Sequence, residues 1–190
     1  MAIFLILAPY GAFATLMLVT SAAVTLFASA AIGMMVMAYD ALRGREIKAL
    51  GAGSVVLFAA LGAYVTLLDN SLSGSAVKLM VDAGVFAISL ASLAIRKPFT
   101  LQYAREMADA ETAQLPGFLR ANYIITWAWT AAFLLMMIAN VMMIYVPGLP
   151  LWSGIVIAFA SRNSAVYFTK WYPQHRRAKH AAPADALPGA

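Results

Sequence analysis

No charged side chain occurs before Asp40, so the chain opens on an apolar run from Met1 to Tyr39. A straight helix of that length, rising about 1.5 Å per residue, overshoots a hydrocarbon core of roughly 30 Å, so the run must be broken somewhere. Further apolar runs of membrane-spanning length follow it. Across the chain 63% of residues are hydrophobic and 11% charged, against about half and about a quarter in an ordinary soluble domain. A soluble fold can bury one or two such helices but not a succession of them, because its own surface must stay largely polar. Lipid is therefore the expected solvent.

Ala28-Ser29-Ala30 has the small residues of a signal-peptide cleavage site, but no basic segment precedes it. The apolar run also far exceeds the roughly 7 to 15 residues of a signal core. Pro9 lacks an N–H and suits a first helical turn, so the helix is expected to start there after a short interfacial lead.

The expected architecture is all-α and polytopic, a single membrane-embedded domain over residues 1–175. It has a lead over 1–8, five transmembrane helices at about 9–39, 49–68, 77–95, 122–146 and 151–169, and a disordered cytoplasmic tail over 176–190. Gly44 serves as turn residue in the first basic loop, and Arg96-Lys97-Pro98 stops the third span with cations at a helix C-terminus and a proline that cannot continue it. Between spans three and four, Phe99, Tyr103 and Met107 recur at spacing four with Arg105, Glu106 and Asp109 among them, the pattern of a helix lying on a membrane surface until Pro116-Gly117 ends it.

Orientation follows from the loops. Eleven of the 13 basic residues fall in the segments around Arg43, Arg96 and Lys170, against Lys78 alone on the other side. By the positive-inside rule the C-terminus and the surface helix are cytoplasmic and the N-terminus faces outward. The net charge of +5 is thus spent on orientation, and no basic stripe with interleaved aromatics points to nucleic acid.

Polar residues inside spans are the candidate functional groups. Arg162 sits about 16 Å into the fifth span, near the bilayer middle, where a cation costs roughly 2.5 to 3.5 kcal/mol. Asp82 is the acid inside the third span. One arrangement has Arg162 reaching Asp82 across two helices. The alternative, favoured by depths that differ by some 10 Å, has Arg162 snorkelling and Lys78 pairing with Asp82 at spacing four. Asn122 and Asn140, with Asn163, Thr126 and Thr130, offer interhelical hydrogen bonds. Ser21, Thr25, Ser29 and Gly33, and again Ala83, Ala87 and Ala91, form small-residue ladders that suit close helix packing, within one chain or in a homo-oligomer.

No cysteine is present, which removes disulfides, thiolate metal sites and cysteine nucleophiles. His175 and His180 lack neighbouring carboxylates other than Asp185, and methionines such as Met34, Met35, Met136 and Met137 read as gap fillers rather than copper ligands. No Ser-His-Asp set, HExxH, P-loop or paired intramembrane carboxylates occur, so neither a cofactor nor an enzymatic role is expected.

The order of these features resembles the intracellular septation protein A family, also called inner-membrane-spanning YciB. Pro9, the Arg96-Lys97-Pro98-Phe99 stop, a fourth span with Asn122, Trp127, Phe133 and Ala139-Asn140, and the closing Tyr172-Pro173 carry the likeness over residues 4–175. Lys97-Pro98 is its sharpest mark; Asp82, Arg162 and the longer third loop depart from it. The resemblance implies a non-enzymatic inner-membrane protein of envelope integrity and septation, in contact with cell-division or envelope-synthesis proteins. A small transporter or channel, with a polar path around Asp82 and Arg162, is the rival reading.

Overall fold

The computed structural model describes residues 2–146 and 148–181, and among these every regular element is helical. The helices are α1 (Ala2–Leu16), α2 (Ala22–Leu42), α3 (Ala49–Leu67), α4 (Gly74–Ala94), α5 (Phe99–Met107), α6 (Ala110–Gln114), α7 (Pro116–Tyr145) and α8 (Leu151–Ala181). Four of them, α2, α3, α4 and α7, are long and apolar enough to cross a membrane.

The long first span expected over 9–39 is two helices. Pro9 lies inside α1 rather than starting it, and the break falls at 17–21. There the backbone tightens through Leu18 N–H to Thr15 O (3.2 Å) and Val19 N–H to Leu16 O (3.0 Å), and the Thr20 hydroxyl donates to Leu16 O at 3.0 Å. Ser21 then caps α2, its hydroxyl accepting from Val24 N–H. Hydroxyl side chains that bond nearby backbone groups stabilise a cap where a helix interior would gain little from them. Thr20-Ser21, not the proline, sets the break.

The two helices fold back as a hairpin. Thr20 meets Thr25 at 2.9 Å near the turn, and at the far end Pro9 Cγ would stand 3.7 Å from a Cβ built on Gly33. The start of α1 therefore lies at the same end of the bundle as the basic loop 43–48, not at the opposite end as a single first helix would place it.

Two turns follow expectation. Gly44 has φ of 67° after α2, the left-handed conformation that ends helices and that glycine adopts without steric cost. Arg96 takes the same conformation (φ 58°), with Lys97 N–H bonded to Ser92 O at 2.9 Å before Pro98.

The segment after Pro98 packs one face on the bundle. Helix α5 buries Phe99, Thr100, Leu101 and Tyr103 against the protein and leaves Arg105, Glu106 and Met107 outward. Pro116 does not end this region but opens α7 at its first turn, where its missing N–H costs nothing. At 30 residues α7 is longer than the expected fourth span.

Helix α8 continues through Pro173 to Ala181, so residues 176–181 are helical where a disordered tail was expected; the rest of that tail, 182–190, lies outside the described residues. Although α8 occupies the expected fifth span, it is not among the four membrane-length apolar helices, because Ser161, Arg162, Asn163 and Ser164 interrupt its apolar run.

The core gathers Leu26, Phe58, Val77, Val81 and Val85 with Phe13, Phe99 and Tyr103. The Phe58 ring lies 5.6 Å from both Tyr10 and Phe13, which fastens α1 to α3. Leu18, Val56, Leu67, Ile155 and Phe159 face outward, an apolar exterior that suits lipid and would be an aggregation liability in water.

Candidate functional site

Two polar constellations stand out, one at the basic-loop end of the bundle and one between α4 and α7. At the first, the loop after α2 brings Lys48 to the N-terminus of α3 with only 7% of its surface exposed. Its ammonium lies 2.7 Å from Asp40 and 3.0 Å from Glu106, and 5.4 Å above the Tyr103 ring. Arg45 reaches the other Asp40 oxygen at 3.4 Å. Gln102 accepts a 2.7 Å bond from Ala49 N–H, satisfying one of the free donors at the start of α3.

Burial by itself would lower the Lys48 pKa, but the hydrogen bonds and charges of Asp40 and Glu106 outweigh it and hold the ammonium above its ordinary value. Tyr103 moves in the same direction. Burial, with Tyr10 and the carboxylates of Asp40 and Glu106 adding to it, pushes the phenol well up. Beside this cluster lies a cleft of about 30 Å³ lined by Pro9, Tyr10, Gly33, Ser54 and Tyr103 among others, room for a water or two. The Tyr10 and Ser54 hydroxyls bond to each other on its wall.

The sequence reading counted Lys48 among orientation charges. Its role leaves no local signal: Asp40 and Glu106 are 66 positions apart, and nothing in either neighbourhood reveals that they converge on Lys48.

The second constellation runs along α4 and α7. Asp82 accepts a hydrogen bond from the Asn140 amide. Farther along, Ser89 meets Thr130 at 2.5 Å, and Thr100 on α5 meets Thr126 at 2.7 Å while donating to Asn122 O at 3.0 Å. Asn122 itself is buried and donates to Phe118 O one turn back. Among the described residues, every buried side-chain nitrogen and oxygen has a hydrogen-bond partner. This is a helix-joining seam, in which each polar group avoids the cost of standing unpaired in a low-dielectric interior.

Of the expected site residues, Asp82 and Asn140 are brought together, and Asn122 lies in the same seam. Arg162 is not part of it. Its side chain is exposed, and no described ion pair joins it to Asp82, whose partner is Asn140.

The first small-residue ladder packs as expected from Thr25 through Ser29 to Gly33, all buried; a Cβ on Gly33 would stand 2.7 Å from Val55 Cγ2. Ser21 is instead an exposed cap. The second ladder does not form the buried face within the chain. Val77, Val81, Val85 and Ser89 form the buried stripe of α4, which leaves Ala87 and Ala91 exposed and Ala83 half-buried. The larger β-branched side chains bring more area to the core than alanines do, and they decide which face turns inward.

His175 stacks on Trp171 at 4.8 Å; the His180 side chain lies outside the described residues. Among the described residues no group of three His, Cys, Asp or Glu side chains is placed to hold a metal ion.

Among the described residues, fold and site together define a helical chain with four helices long and apolar enough to cross a membrane. No protein-family model matches it, and no curated protein or solved structure matches it significantly.

Proposed function

We propose that the chain is a non-enzymatic, multi-pass protein of the bacterial inner membrane that serves cell-envelope integrity or septation by docking membrane partners. The observation that carries this reading is the division of polar groups. Those within the bundle are spent on joining its own helices, while α5 and α6 present Arg105, Met107, Glu111 and Leu115 outward from a base fastened by Lys48, Gln102 and Thr100. A fastened platform with mixed apolar and charged side chains binds partners at low ordering cost. The envelope role draws on the likeness of the Arg96–Phe99 stop and the aromatic α7 to the septation family.

In this reading α1 and α8 accompany the four membrane-length apolar helices through the bilayer. The positive-inside rule makes the basic-loop end cytoplasmic, and the start of α1 goes with it.

Photo-crosslinking from Arg105 and Met107 in dividing cells tests the proposal. Adducts with division or envelope-synthesis proteins are expected, and Glu106→Lys, which unfastens α5, should reduce them several-fold. Adducts with lipid alone, unchanged by that substitution, overturn it.

A transporter reading is favoured by one feature, the carboxylate of Asp82 inside a membrane-length helix, since intramembrane acids often mark ion paths. Proteoliposomes that take up a cation with the wild-type chain and fail with Asp82→Asn would establish it in place of the docking role.

A further inference from the structure

The seam and α8 together fix the level of Arg162 in the bundle. Helix α8 runs antiparallel to α7: Trp129 Nε1 donates to Thr169 Oγ1 at 3.0 Å, and a Cβ on Gly154 would stand 3.0 Å from Met143 Cγ. Counting back from Thr169 and forward from Gly154 places Arg162 level with Leu135 and Met136 of α7. On α7 these two lie midway between Thr130, which meets Ser89, and Asn140, which meets Asp82. Arg162 is therefore level with Val85, at the middle of a membrane-length helix.

At that level Arg162, Asn163 and Ser164 are all exposed. The Asn163 amide donates to Phe159 O at 2.7 Å, which leaves its carbonyl oxygen turned outward. Snorkelling can carry the Arg162 charge toward water, but it does nothing for the asparagine and serine beside it. Polar groups at mid-membrane depth face protein or water, not lipid.

We propose that a transmembrane helix of a second membrane protein covers this face of α8 and sets an aspartate or glutamate opposite Arg162. The inference rests on the docking role and names the chemistry of one partner. A second copy of this chain does not supply that group. Two copies in one membrane share an orientation, so a symmetric contact through α8 sets Arg162 against Arg162. Asp82, nearly one turn of α4 away from this level, is already bonded to Asn140 between α4 and α7. An acidic partner satisfies the guanidinium with paired hydrogen bonds, and Asn163 and Ser164 complete the contact.

The test places a photo-crosslinking amino acid at Phe159 or Tyr167, which are 65% and 67% exposed, in the full chain within native membranes. The expected result is an adduct whose captured peptide is an apolar span with an acid near its middle. Arg162→Lys should keep that adduct and Arg162→Leu should lose it about tenfold. Arg162→Asp should regain it when the partner's acid is changed to lysine. Crosslinks to this chain's own peptides, to lipid alone, to a span without an acid, or at a yield that Arg162→Leu leaves unchanged each overturn the proposal. The parallel crosslinks from Arg105 and Met107 report on folding and separate the two readings: partners found there with none at α8 overturn this inference alone, and silence at both removes the docking role as well.

Discussion

The Lys48 ammonium lies 3.0 Å from the Glu106 carboxylate, and this bond fastens α5 to the loop between α2 and α3. Because Asp40 holds the same ammonium, Lys48→Met leaves two partly buried carboxylates facing each other. It should cost about 3 kcal/mol or more, and the first sign should be faster amide exchange in α5 while α2 and α3 stay protected. Equal acceleration in all three would show that the bond does not act locally.

Alkaline pH should loosen the same contact. Lys48 and Tyr103 both have pKa values raised in the folded chain, so the stability each contributes is intact below its unfolded value and is lost as pH rises through the folded one. Docking of α5 should therefore hold from neutral pH to about 10 and fail above it. Ultraviolet titration should show the late-ionising phenol signal diminished by Tyr103→Phe.

Asp82 and Asn140 should behave as a unit. Asn140→Leu strips the carboxylate of its amide donor and should destabilise the bundle in detergent by about 1–3 kcal/mol, whereas Asp82→Leu with Asn140→Leu should recover most of that loss, since neither partner is then left unpaired. For Ser89 and Thr130 a double-mutant cycle should give a smaller coupling, about 0.6 kcal/mol and at most about 1.7.

At Gly33 α2 packs tightly on α3, with no room for a Cβ beside Val55 Cγ2. Gly33→Leu should push the two helices apart and cost about 1–3 kcal/mol, read as a lower midpoint of thermal unfolding in detergent. Gly11 has open space around its Cβ position, so Gly11→Ala is the control that should leave the midpoint unchanged or slightly raised.

The hairpin of α1 and α2 places the 17–21 turn at the end of the bundle away from loop 43–48. Because the chain has no cysteine, single substitutions report without background. A membrane-impermeant thiol reagent should label Leu18→Cys and Ser71→Cys from one side, and Arg43→Cys and Met107→Cys from the other. Labelling of Leu18→Cys together with Arg43→Cys would refute the hairpin across the membrane.

Apolar runs of membrane-spanning length, a helical chain, and helix ends at Gly44 and at Arg96-Lys97-Pro98 were determined by the sequence alone. Hydropathy, turn glycines and proline stops act through neighbours along the chain, so they are legible in one dimension. Tertiary structure decided where the first run breaks, that valines rather than alanines of α4 turn inward, and that Asp82 pairs with Asn140 while Lys48 draws in Glu106. Those outcomes depend on which faces of distant helices meet. A polar side chain in a low-dielectric bundle takes whatever partner the packing brings within hydrogen-bond reach, and residues 58 positions apart, as in the Asp82–Asn140 bond, have no local signal that they will meet.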